Sequence, residues 1–158
     1  MSMAFTTQRP IILKNATKSD LRTQFGALCY RIRKDKVQVL LVTSRGTGRW
    51  IIPKGWPVGG ATPADAAGVE AWEEAGAKGR VYPTCIGLYS YLKEREEGRL
   101  PCIVAVFPMK VAKLHDDFPE AGTRKRKWVS LKRAAKMVDQ PELSQIIAQF
   151  NPRNLRVS

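Results

Sequence analysis

Glu70, Glu73 and Glu74 are the residues of this chain whose type and spacing most directly imply chemistry. They lie in the stretch from Thr62 to Gly76, and at 3.6 residues per turn separations of three and four put all three carboxylates on one helix face. Each like-charged pair on such a face costs roughly 0.2–0.5 kcal/mol. Glu73 and Glu74 also fall in the last turn before Gly76, where the negative end of the helix dipole disfavours further negative charge. A divalent cation reverses the sign of every one of these terms, so the cluster reads as a metal site. A solvated acidic face is the commoner use of such residues, but it normally carries Lys or Arg at i+4 for relief. Here those positions are Glu74, Ala77 and Lys78, and Lys78 lies beyond the helix-ending Gly76, out of register with Glu74.

The elements that must hold these carboxylates are punctuated clearly. Thr62 is placed as an N-cap, Pro63 at the first helical position, Asp65 at N3 in a capping-box-like arrangement, and Gly76 just past the end. Gly68, Ala71, Trp72 and Ala75 fall opposite the carboxylates and are expected to pack on a sheet. Ala66, Ala67 and Ala77 are expected to flank them, their small side chains leaving room for a bulky ligand. Gly68 costs about 1 kcal/mol against alanine in mid-helix and is ascribed to close packing beside Trp72.

Upstream, Phe25 to Ile32 and Val37 to Thr43 read as strands of a hairpin around the polar turn Arg33-Lys34-Asp35-Lys36. A flexible loop from Ser44 to Arg49 leads to the apolar run Trp50-Ile51-Ile52-Pro53 and a glycine-dense segment, Lys54 to Gly60. Downstream, Arg80 to Lys93 and Cys102 to Val111 read as two longer strands joined by a charged turn, Glu94 to Arg99. A polar loop from His115 to Thr123 precedes a short strand near Lys127 to Val129. Ser130 caps a helix running to about Val138, and Pro141 starts another reaching Phe150. Strands interspersed with a few helices, without repeats or a long linker, predict one mixed α/β layered domain over residues 21–152. A basic tail at 1–20 and a short tail at 153–158 flank it.

The chain has 158 residues, with 27 Lys+Arg against 14 Asp+Glu, a net charge of +13 that favours polyanionic partners. Cys29, Cys85 and Cys102 are odd in number and lack a C-x-x-C pair, which argues against disulfides or thiolate zinc and predicts reduced core residues of a cytosolic protein. His115 is the only histidine and is expected in a surface loop, so a histidine-based metal site is excluded. No apolar run approaches the roughly eighteen residues of a membrane span, which predicts a soluble, cytoplasmic protein without membrane attachment. Met1 to Lys18 lacks acidic residues and has the composition of some organelle transit peptides, though an ordinary basic tail is the favoured reading.

Taken together, these motifs resemble the Nudix hydrolase signature, in which a glycine, five residues, Glu, seven residues and then Arg-Glu-apolar-x-Glu-Glu-x-Gly-apolar form a loop, helix and loop. Gly55 matches the opening glycine, and Glu70, Ala71, Glu73, Glu74, Gly76 and Ala77 match the closing run without a gap. Ala61 and Val69 stand where the family has its first Glu and its Arg. Replacing both members of an ion pair with apolar residues is often energetically neutral, whereas losing one is not, so the double change is expected to spare the chemistry. Segments Val39 to Arg45, Arg49 to Gly55 and Arg124 to Trp128 resemble the branch that hydrolyses diphosphoinositol polyphosphates and diadenosine polyphosphates.

The resemblance implies an α/β/α sandwich with a mixed β-sheet and a loop-helix-loop metal site holding Mg²⁺ or Mn²⁺ on Glu70, Glu73, Glu74 and the Gly55 carbonyl. By the same analogy the general base is Glu74 or, from a downstream loop, Glu120, with Asp116, Asp117, Glu94, Glu96 and Glu97 ranked behind; Glu73 completes the catalytic set. Phosphates of the substrate are assigned to Ser44, Arg45, Lys54, Arg95, Arg124 and Arg126. Strand alternation puts Arg124 and Arg126 on one side, with Lys125 and Lys127 on the other.

Three functions compete. The favoured one is a metal-dependent pyrophosphohydrolase of highly phosphorylated small molecules, dinucleoside polyphosphates or inositol pyrophosphates. The second is hydrolysis at RNA 5′ ends, which the charge allows through weak, nonspecific nucleic-acid attraction, although no base-stacking basic stretch supports it. The third is a catalytically silent Nudix-fold binding protein, for which Glu73→Gln and Glu74→Gln would change no activity.

Overall fold

The computed structural model describes residues 22–155. The tail expected at 1–20 lies outside them, and of the tail expected at 153–158 only 153–155 are described, continuing a 3-10 turn at Pro152–Asn154. In chain order the elements are β1 (Arg22–Arg33), β2 (Lys36–Thr43), β3 (Trp50–Ile51), β4 (Lys54–Gly55), α1 (Pro63–Ala75), β5 (Ala77–Val81), β6 (Gly87–Lys93), β7 (Leu100–Leu114), β8 (Arg126–Ser130), α2 (Leu131–Met137) and α3 (Pro141–Ala148).

The hairpin β1–β2 forms as expected, with Arg33 opposite Lys36. Its two-residue turn puts Lys34 and Asp35 at φ 50° and 63°, the left-handed pair that matches the twist of adjoining strands but is usually filled by Asn-Gly. The single strand expected over Arg80 to Lys93 is two, β5 and β6, because the chain leaves the ladder between Tyr82 and Ile86 around Pro83. Both strands pair antiparallel with the long β7, β5 at its C-terminal end and β6 at its N-terminal end. The apolar run at Trp50 and the glycine-dense start at Lys54 also contribute strands, the short β3 and β4.

Parallel pairing of β1 with β7, with antiparallel pairing elsewhere, makes the sheet mixed. Period-two alternation divides its side chains between two layers. Ala27, Cys29, Leu40, Val42, Ala105 and Phe107 pack under Ala64, Ala67, Ala71 and Ala75 of α1. Their neighbours Leu28, Tyr30, Val39, Leu41, Val104 and Val106 pack under Ala134, Leu143, Ile146 and Ile147 of α2 and α3. This is the α/β/α sandwich. Ala67 and Ala77 therefore lie in the core, and Ala66 is equally buried, so these alanines do not line a ligand space. Trp72 packs not on the sheet but against the His115 ring and Phe118, with the Lys78 ammonium 4.4 Å from its centroid. A side chain on Gly68 would meet Val81 of β5 at 3.0 Å, so strand proximity rather than Trp72 accounts for that glycine. Cys29 and Cys102 are buried, while Cys85 is exposed in the β5–β6 connection, contrary to a core placement.

One irregularity of the sheet matters for function. β1 pairs with β2 only over Tyr30 to Arg33, and towards its start it pairs with β4, Phe25 opposite Gly55 and Gly26 opposite Lys54. β2 in turn pairs with β3 at Val42 and Thr43. The segment from Trp50 to Gly55 thus fills the gap where β1 and β2 diverge, and the Ala27 N–H donates to the Pro53 carbonyl at 2.9 Å to hold it there. It delivers Lys54 and Gly55 beneath the acidic face of α1.

Candidate active site

α1 begins as its sequence dictates, with Thr62 Oγ1 accepting from the Asp65 N–H at 3.1 Å, and ends at Gly76, which takes φ 69° and donates back to the carbonyls of Ala71 and Trp72. Only glycine fits there, because a Cβ would lie 2.5 Å from Phe118 and 2.7 Å from the His115 carbonyl. The closure fixes the rotation of α1 about its axis, and hence where its carboxylates point.

Glu70 points at β4. A Cβ built on Gly55 would lie 2.0 Å from Glu70 Oε1, so the missing side chain of Gly55 is the room the carboxylate occupies. Glu70 and Glu74 stand within hydrogen-bonding reach of each other. Glu74 is buried, and no donor reaches its Oε1. Burial raises the Glu74 pKa to about 7, with Glu70 and Glu120 adding to the rise and Arg124 and Lys54 opposing it. The Glu70 pKa is also raised, by burial first and then by Glu73 and Glu120. Glu73 is half-buried, and among the described residues no three His, Cys, Asp or Glu side chains are already gathered into a cage. Two close carboxylates, one with a buried oxygen lacking any donor, suit a hard cation that completes its shell with water and phosphate oxygens, as Mg²⁺ does.

The downstream loop reaches this pair through Arg124. Its Nε donates to Glu120 Oε1 at 3.1 Å, its Nη1 to the Thr43 carbonyl at 3.0 Å, and its Nη2 lies 3.8 Å from Glu74 Oε2. The Glu120 N–H donates to the Glu73 carbonyl at 3.1 Å, tying the loop to the last turn of α1. Glu120 is therefore the downstream acid brought to the site. Asp117, Glu94, Glu96 and Glu97 are exposed elsewhere, Glu94 pairing with Arg99 and Glu97 with Arg95, while Asp116 pairs with Arg126. Thr43 was not legible as a site residue; besides its carbonyl, its Oγ1 accepts from the Lys125 N–H at 2.9 Å.

Lys54 lies under the carboxylates. Burial pulls its ammonium pKa down and the Glu74 carboxylate pulls it back up. Its Nζ sits 4.7 Å from the Tyr91 ring centroid, and the Tyr91 hydroxyl donates to the buried Gln24 side chain. Lys93, two residues along β6, is close enough to lower the Lys54 pKa further. Tyr91 and Lys93 were missed; their only sequence signal is period-two alternation in a strand rich in aromatics.

The remaining basic candidates stand apart. Arg126 shares the face of Arg124 as alternation predicts, but it donates from Nη1 to the carbonyls of Ala75 and His115 at 2.9 and 2.7 Å, and from Nη2 to Asp116 at 3.0 Å. That geometry braces the end of α1 instead of offering a phosphate contact. Ser44 spends its hydroxyl inside its own loop, on Thr47 and the Arg49 N–H, Arg45 is exposed beside it, and Arg95 pairs loosely with Glu97 on the β6–β7 turn.

The family model for the NUDIX domain matches residues 22–150, nearly all of the described fold. The chain belongs to the Nudix family. This Nudix chain is 30% identical over 115 residues to the mouse (Mus musculus) diphosphoinositol polyphosphate phosphohydrolase 3-alpha, covering 72% of the chain and 66% of that relative. It is 26% identical over 149 residues to Nudix hydrolase 12, mitochondrial, of Arabidopsis thaliana, covering 84% and 73%. The crystal structure of the C. elegans Ap4A hydrolase shares the fold, with a TM-score of 0.58 and 20% identity over 81% of this chain and 94% of that one. The similarity lies with the branch that the basic motifs indicate. As a Nudix hydrolase the protein acts on pyrophosphate bonds. Among the described residues no helix is long and apolar enough to cross a membrane.

Proposed function

We propose that this Nudix hydrolase is a metal-dependent pyrophosphohydrolase of highly phosphorylated small molecules, dinucleoside polyphosphates or inositol pyrophosphates, working in the cytoplasm. The observation that carries the proposal is the donorless Oε1 of buried Glu74 beside Glu70, framed by Lys54 and Arg124. A buried carboxylate oxygen without a donor, as Glu74 Oε1 is, costs stability in the free protein and is tolerated where a ligand completes it.

Glu70, Glu73, Glu74 and the Gly55 carbonyl would hold Mg²⁺ or Mn²⁺, which when bound supplies charge neutralisation at phosphate oxygens and an acidified water. Glu74, with a pKa of about 7, is matched to accept a proton near neutral pH and is the general base of this proposal. Arg124, itself held by Glu120, positions it, Glu120 being the reserve base. Lys54, screened from water, presents its ammonium to the phosphate chain, where a buried charge acts more strongly than an exposed one. The surrounding cations of a chain with net charge +13 favour the approach of polyanions.

The test is a product-release screen with Mg²⁺ and with Mn²⁺ over diadenosine polyphosphates, inositol pyrophosphates, ADP-ribose, nucleoside triphosphates and 5′-triphosphate RNA. Turnover of a small polyphosphate, abolished by Glu74→Gln, is expected. Turnover of RNA ends alone would transfer the protein to the second reading, and no turnover of anything would leave a silent binding fold.

A further inference from the structure

Four tryptophans occur in the chain, and three of them are covered. Trp50 packs on the α2–α3 side of the core, Trp128 on the α1 side under the Arg31 guanidinium, and Trp72 against His115 and beneath Lys78. Trp56 belongs to neither core layer and remains 40% exposed, with Val58 on the same loop 39% exposed. It directly follows Gly55, the residue against which Glu70 packs. The Lys93 ammonium lies 5.9 Å from its ring centroid, Lys93 in turn acts on Lys54, and Lys54 on Glu74. An aromatic face, two cations and the carboxylate pair thus follow one another along one side of the fold.

That order matches a ligand with a planar π-system at one end and a chain of phosphates leading away from it. From it we infer that Trp56 is a stacking platform for the base of a nucleoside or dinucleoside polyphosphate, with Lys93 and Lys54 beneath the phosphates. The inference rests on the hydrolytic reading above and narrows its substrate class. An inositol pyrophosphate has a puckered, saturated ring bearing hydroxyls and phosphates and no planar π-face, so it would not give the indole the stacking contact that a base gives. A base covers them and gains the stacking contact that indole offers any purine. Lys93, close to the ring, would neutralise the phosphate nearest the base while contacting the π-face.

The experiment uses the full chain and compares the wild type with Trp56→Ala and Trp56→Phe. Diadenosine tetraphosphate and base-free inorganic tripolyphosphate are titrated in EDTA, with tryptophan emission and competition for binding as readouts, and KM is measured separately with Mg²⁺. Diadenosine tetraphosphate is expected to quench the wild type and not Trp56→Ala, whose KM and dissociation constant for it rise about tenfold. Tripolyphosphate binding should stay unchanged, and Trp56→Phe should restore most of the affinity. Equal binding of the dinucleotide by wild type and Trp56→Ala, or equal weakening for both ligands, overturns the inference while turnover by the wild type stands. Loss of turnover in the wild type alongside a persistent base-specific quench overturns the hydrolytic reading instead.

Discussion

The Glu70 carboxylate occupies the volume that a side chain on Gly55 would fill, its Oε1 lying 2.0 Å from where that Cβ would be. One residue belongs to a two-residue strand and the other to a helix, and each determines what the other can be. Gly55→Ala is therefore expected to leave the fold intact but to swing Glu70 away from Glu74. A displacement of about 1 Å at a reacting centre costs on the order of a hundredfold in rate. Steady-state kcat/KM with Mg²⁺ and calorimetric Mn²⁺ affinity should both fall, with the circular dichroism spectrum unchanged.

Glu74 makes metal-free stability depend on pH. Its folded pKa of about 7 exceeds the ordinary glutamate value of 4.5, so between those values the folded protein binds more protons than the unfolded chain, and stability falls as pH rises through that window. A shift of this size corresponds to a decline on the order of 3 kcal/mol. Urea unfolding in EDTA should give a lower midpoint at pH 8 than at pH 5, and saturating Mn²⁺ should cancel the difference. Glu74→Gln should flatten the same profile while abolishing turnover, the usual opposition between stability and activity at a site. Proton competition also predicts that Mn²⁺ affinity drops as pH falls below about 7.

Arg124 and Arg126 should separate cleanly. Arg126→Met removes the donors to the Ala75 and His115 carbonyls, and leaving two such acceptors unmet costs about 2–3 kcal/mol. The denaturation midpoint should drop with kcat of the folded fraction preserved. Arg124→Met should instead reduce kcat by two or more orders of magnitude and move the acid limb of the pH–rate profile upward, because Arg124 is the largest influence lowering the Glu74 pKa.

The hairpin turn offers a stabilising change remote from the site. Lys34 and Asp35 both adopt positive φ, which costs a non-glycine residue roughly 1 kcal/mol. Lys34→Asn with Asp35→Gly is expected to raise the melting temperature by roughly 3 °C without altering kcat.

Much of this was written in local sequence. The caps of α1, the spacing of its carboxylates, the β1–β2 hairpin and the helices after Ser130 and Pro141 all follow from interactions between residues a few positions apart, where periodicity and capping chemistry act directly. The break between β5 and β6 was less legible, since Val81 and Gly87 both sit in strand-like composition; Pro83 marks the interruption locally, but the pairing of both strands with one long β7 shows only in the tertiary structure. Alternation put Arg124 and Arg126 on one face, yet one braces Glu74 and Glu120 while the other closes a helix end. Lys93 and Tyr91 carried no signal beyond strand alternation and Thr43 carried none, because their importance comes from strands that meet across tens of residues. Sequence alone singled out the carboxylates Glu70, Glu73 and Glu74 and put them on one helix, as that follows from residue type and helical phase. Which of the many cations and acids in this basic chain surround Glu74 was decided by tertiary structure, because β1 and β2 diverge and admit Trp50 to Gly55, and the chain after β7 returns across the end of α1.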